Sequence, residues 1–170
     1  MKSYRWLTVP TLAMALVAGC EDDGVSPTES RFSATLNGAS ERPTPNTSAG
    51  AGTATFTVSA DRNTLSWNIT MTGTNNVTAS HIHVGGKEVA GPIAFGLFSA
   101  TPTNNPAITG SVTRATYTSP LGISFDALLS LMESGDTYVN VHTDNGVAPQ
   151  NTGPGDLAAG EIRGQITRIP

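Results

Sequence analysis

The chain has three histidines, and two of them stand one residue apart in His81-Ile82-His83. On an extended strand, side chains two apart point the same way. Both imidazoles therefore share one face, while Ile82 and Val84 take the other. His142 lies in Tyr138-Val139-Asn140-Val141-His142-Thr143, where Val139 and Val141 alternate with Tyr138, Asn140 and His142. A His-x-His strand beside a strand with a third histidine offers three ring nitrogens to copper or zinc, ions that imidazole suits. Glu161 or Asp144 would then supply a fourth ligand, or an outer carboxylate that fixes a ring tautomer. A second arrangement needs no metal. In it the histidines pair with Glu161, Asn140 and Arg163 in a hydrogen-bonded cluster that fastens strands, because buried polar groups must be satisfied. The residue types allow both.

Other chemistry is sparse. The sequence has no G-x-S-x-G, P-loop, C-x-x-C or H-E-x-x-H motif, and its many Ser and Thr residues sit in no nucleophile setting. Glu161 and Arg163, two apart in Gly160-Glu161-Ile162-Arg163-Gly164-Gln165, read as a structural pair rather than an acid/base couple. Asp144-Asn145-Gly146 offers oxygens suited to calcium, but Asp-Asn-Gly after a strand reads first as a turn. No catalytic residue is assigned, and the protein is expected to be non-enzymatic.

The N-terminus carries a different kind of chemistry. Lys2 and Arg5 precede an apolar run from Trp6 to Ala18, broken only by Thr8, Pro10 and Thr11. That run falls short of the about 20 apolar residues a spanning helix needs, and it fits a secretory signal. It ends Val17-Ala18-Gly19-Cys20, which resembles a bacterial lipobox. Residues 1–19 are the expected signal peptide, and Cys20, the single cysteine, the expected lipidation site. Two or three acyl chains anchor durably, since each buried CH₂ contributes about 0.8 kcal/mol. Residues 20–30 are acidic and contain Gly and Pro, so they read as a flexible tether. The expected location is the cell envelope, at the outer membrane or periplasmic face. The partners are then the membrane, through the lipid, and an envelope or extracellular molecule.

The elements that must position the histidines follow from composition and alternation. Charged residues are only 13%, against about 25% in an average soluble protein, which argues against a helical bundle. One cysteine excludes a disulfide scaffold, and a net charge of -4 offers no basic footprint for nucleic acid. The 24 Thr and 18 Gly residues suit short strands and tight turns. Phe32, Ala34 and Leu36 mark a first strand, and residues 37–52 a long loop. Ala54, Phe56 and Val58, then Leu65, Trp67, Ile69 and Met71, mark a hairpin around Asp61-Arg62-Asn63. Further strands are expected at 77–84, 93–98, 108–117, 138–143 and 161–169. Ser124 caps one expected helix, with Phe125, Leu128, Leu129 and Met132 at helical spacing and Gly135 as its C-cap. About eight strands and one crossover helix fit an all-β, Greek-key β-sandwich over residues 31–170.

Five segments, in order, resemble the CHRD domain, a module named after chordin and common in exported bacterial proteins. They are Leu36-Asn37-Gly38-Ala39-Ser40-Glu41-Arg42-Pro43, Gly52-Thr53-Ala54, Ala79-Ser80-His81-Ile82-His83, Tyr138–Thr143 and Gly160–Gln165. The run Gly85–Pro92 after His83 departs slightly from the family's Gly/Pro-rich pattern. The resemblance implies an immunoglobulin-like sandwich, similar in outline to copper/zinc superoxide dismutase, and implies no settled activity. Dismutase chemistry is not expected: three histidines are too few for a dinuclear site, and that enzyme's disulfide cysteines are missing. Two functions are left. The first is a membrane-anchored binding or structural module; the alternative is an envelope metalloprotein holding copper or zinc through His81, His83 and His142.

Overall fold

The computed structural model describes residues 28–170. The expected signal peptide, Cys20 and most of the expected tether lie outside the described residues. Among the described residues nine strands form: β1 (Ser30–Asn37), β2 (Ala51–Val58), β3 (Thr64–Thr72), β4 (Val77–Val84), β5 (Ile93–Thr103), β6 (Ile108–Thr113), β7 (Thr137–Thr143), β8 (Ile162–Gln165) and β9 (Thr167–Arg168). One helix, α1 (Phe125–Ser134), links β6 to β7.

Hydrogen-bonded neighbours run β5-β4-β7-β8-β1-β2-β3-β6, with β9 beside β1. Every pairing is antiparallel. The sheet curls into two layers around one core, and its end strands β5 and β6 approach each other. The links β3 to β4 and β6 to β7 cross between layers, as in Greek keys. The fold is thus all-β with one short helix, as the alternation suggests.

The alternating residues build that core. Phe32, Ala34, Leu36, Ala54, Phe56, Val58, Leu65, Ile69 and Met71 are all buried, and the first hairpin pairs Phe56 with Trp67. The near-closed seam is packed with rings. Trp67 meets Phe95 edge-on at 5.7 Å, Phe95 stacks on Tyr117 at 5.4 Å, and Tyr117 meets Phe125 at 5.5 Å. Gly110, opposite Trp67 on β6, is required there, since a Cβ would lie 2.4 Å from the indole. The helix is capped as expected: Ser124 Oγ accepts from Ala127 N–H, and Gly135 takes φ 77°.

Three boundaries differ from the expected ones. β5 continues to Thr103, past Phe98, and its Pro102 is tolerated because β5 pairs only with β4 and lies at a sheet edge. β6 stops at Thr113 instead of reaching Tyr117, where Thr116 N–H turns back onto the Thr113 carbonyl. The last strand divides at Ile166, whose N–H goes to Thr137 on β7 while the next two residues pair with β1.

Candidate metal centre

The central strands of one layer, β4 and β7, place the histidines. Their register sets Ala79 opposite His142, His81 opposite Asn140 and His83 opposite Tyr138. His142 is therefore diagonal to His81 on the same outer face. Diagonal neighbours across a pair are within reach of long side chains. The donor atoms of His81, His83 and His142 all lie within 4.8 Å of one another.

Hydrogen bonds fix the rings. His83 Nδ1 is 2.9 Å from the Gly91 carbonyl, and His142 Nδ1 is 3.0 Å from the Ala158 carbonyl. A carbonyl only accepts, so both Nδ1 atoms carry the proton and both Nε2 atoms keep a lone pair. His81 Nδ1 stands 3.0 Å from His142 Nε2, and without an ion it donates to that lone pair. His83 Nε2 is buried and has no partner. A metal-binding histidine typically donates its other ring N–H to a carbonyl or carboxylate. His83 and His142 already do so.

The distances suit one ion. Two nitrogens about 2.05 Å from a metal stand roughly 3 Å apart at the right angle of a tetragonal Cu(II) site and roughly 3.3 Å apart at the tetrahedral angle of zinc, close to the 3.0 Å between His81 Nδ1 and His142 Nε2. All three donors lie within 4.8 Å of one another, so a small movement of the rings brings them within the roughly 4.1 Å that two such nitrogens on one ion can span. Electrostatics favour the neutral rings that metals need. Burial, with His142 and His83 alongside, pushes His81 down to about 4. Burial also lowers His83 and His142, against the opposing pull of their carbonyl partners.

The expected carboxylates go elsewhere. Glu161 is fully buried and accepts from Ser48 Oγ (2.6 Å), Thr143 Oγ1 (2.6 Å) and Gly155 N–H (2.8 Å). Asp144 accepts from Gly146 N–H and Gln150 Nε2, which makes Asp144-Asn145-Gly146 a turn. Neither carboxylate bonds an imidazole.

The expected polar cluster is likewise rearranged. Asn140 donates to both oxygens of Glu41, at 3.0 and 2.9 Å. Arg163 lies buried over the Tyr138 ring, 3.4 Å from its centroid. It donates to the carbonyls of Gly86, Lys87 and Val89, so it holds the loop that carries Gly91. Glu41, Tyr138 and the two carbonyl anchors were not singled out as site residues from sequence. Tyr138 shares a face with His142 by alternation, a signal that could have found it. Glu41 sits in a Pro-containing loop, where no periodicity shows which way a side chain turns.

A family model for the CHRD domain matches residues 32–166. No curated protein matches the chain.

Proposed function

Since the chain belongs to the CHRD domain family, we propose that it is an exported envelope module, lipid-anchored through Cys20, whose sandwich binds one copper or zinc ion at His81, His83 and His142. The observation that carries this is His83 Nε2, a buried lone pair without a partner beside two other imidazole nitrogens. A purely structural cluster gains nothing from leaving that nitrogen unsatisfied, which costs about 1–3 kcal/mol. A bound ion would satisfy it. The His81–His142 contact favours the second reading, a metal-free binding or structural module, because it also satisfies two of the rings as an N–H···N bond.

Titration of the metal-free protein with Cu(II) and Zn(II) separates the two. The metal reading expects about one equivalent bound, and loss of that binding in His83→Ala. No uptake at micromolar metal would leave the structural module. Anchoring has its own test. Cys20→Ser should abolish acyl labelling and release the protein from membranes, and continued labelling would refute the lipid anchor.

A further inference from the structure

We propose that the layer without the histidines binds a neutral polysaccharide, seated in a hollow across β1, β2 and β3. The hollow measures about 370 Å³, and Thr35, Ala51, Thr53, Thr70 and Thr72 are among the residues that line it. Ligand sites commonly measure about 300–1,000 Å³. Strand pairing sets Thr35, Thr53 and Thr70 in one row across the sheet, and Asn37, Ala51 and Thr72 in the next. Alternation turns these side chains outward, and all five of the lining residues named are exposed. Ala51 stands at the centre of its row, the one outward residue of β2 that is not threonine. Its short side chain leaves open the space that a fourth threonine would narrow. The hollow shares no residue with the metal site, so neither reading depends on the other.

The chemistry of the hollow selects its occupant. Among the described residues no charged side chain lines it. None stands in its two rows, nor in the row beyond, where Ser33, Thr55, Asn68 and Thr109 align. An anionic polymer needs positive groups to meet it, and a hard cation needs carboxylates. A protein partner is held by large aromatic or Arg anchors at the interface centre, and small hydroxyl side chains stand there instead. Each threonine offers one O–H donor and two acceptor lone pairs, beside a methyl group. Among the described residues the hydroxyls of Thr35, Thr53, Thr70 and Thr72 make no hydrogen bond to the protein, whereas Thr55 donates to the Asn68 carbonyl. A sugar ring presents the matching mixture, with hydroxyls at its edge and C–H groups on its face. The rows run on to Thr109 of β6 across strands about 4.7–4.9 Å apart. That length suits a chain of rings better than one free sugar.

Native electrophoresis of the full chain, metal-free and in a sugar-free detergent, tests this with dextran, galactomannan or laminarin dissolved in the gel. At least one of the three should retard the wild type, and added salt should not relieve the retardation, because no ion pair is involved. Ala51→Arg fills the hollow and should weaken binding by about tenfold or more. Thr53→Val combined with Thr70→Val keeps the shape and strand propensity of both sites and removes two hydroxyls, so binding should weaken roughly fivefold. The double variant carries the test if Ala51→Arg does not fold. No retardation of the wild type by any of the three polysaccharides would overturn the proposal. Retardation that disappears at high salt would assign it to charge and overturn the neutral ligand. Wild-type retardation in both variants would overturn the placement in this hollow.

Discussion

The His83 imidazole lies on the Tyr138 ring, with centroids 4.8 Å apart and planes 14° from parallel. Because β7 runs between β4 and β8, Tyr138 separates His83 from the Arg163 guanidinium. The Tyr138 hydroxyl also joins the loop that orients His83: it accepts from Gly91 N–H at 3.0 Å and lies 3.2 Å from the Gly91 carbonyl. That carbonyl is the acceptor for His83 Nδ1. Arg163 holds the same loop from its other end.

Tyr138→Phe should therefore weaken metal binding without removing a ligand. The ring remains to stack, but Gly91 loses its tether, and outer partners of this kind are worth roughly 10–100-fold in affinity. The stability cost should be about 1–3 kcal/mol, that of two hydrogen bonds, since the hydroxyl accepts from Gly91 N–H and donates to its carbonyl. Cu(II) titration beside urea unfolding checks both; wild-type affinity would dissociate the loop from the site.

Glu161→Gln should do the reverse. Three donors converge on that carboxylate, and an amide turns one acceptor oxygen into a donor facing them. The expected cost is about 1–3 kcal/mol for buried groups left unpaired, with Cu(II) affinity unchanged. A loss of metal with stability intact would place Glu161 at the ion after all.

How much of this is legible in the sequence depends on periodicity. Phe56 and Leu65 announce a strand face by alternation, and alternation places His81 with His83. The same rule names the face of His142 but not the strand beside it, because the β4–β7 pairing joins residues about sixty positions apart. Glu161 looks outward by alternation, yet it precedes β8 and is drawn inward by Ser48, Thr143 and Gly155, donors from separate segments. Glu41 is illegible for a similar reason, since only the folded loop brings it beneath Asn140.

Acid should destabilise the metal-free protein through the histidines. The unfolded chain takes up protons near the ordinary value of about 6.5, whereas His81 resists to about 4. The folded state binds fewer protons in that window, so stability complete above about 6.5 is lost as the pH falls toward 4. His81→Asn removes this contribution, so relative to the wild type its Tm should gain as pH falls from 6.5 to 4.5. A Tm profile parallel to the wild type's over that interval would assign the acid sensitivity elsewhere.

Glu41 has the opposite sign and can be read in a separate window. Its carboxyl is buried against Asn140, and that burial pushes it up to about 8 against the pull of Arg163 and its hydrogen-bond donors. The unfolded chain releases this proton near 4.5, so the contribution is whole below that pH and is lost as pH rises through 8. Between about 4.5 and 6.5 the His81 and Glu41 slopes oppose and largely cancel, each being one proton. Just above 6.5 the unfolded chain still loses its remaining histidine protons, a change the wild type shares with a Glu41 variant, so their difference isolates the Glu41 slope. Roughly 1.4 kcal/mol per pH unit then predicts that the Glu41 contribution falls by about 2 kcal/mol between pH 6.5 and 8. Glu41→Gln keeps the side chain's shape, carries no titrating proton, and still accepts from Asn140 Nδ2. Its stability by urea unfolding should gain about 2 kcal/mol on the wild type across that interval and exceed it at pH 8. A variant whose stability stays parallel to the wild type would show that Glu41 is ionised well below pH 6.5 in the folded protein, with Arg163 outweighing the burial.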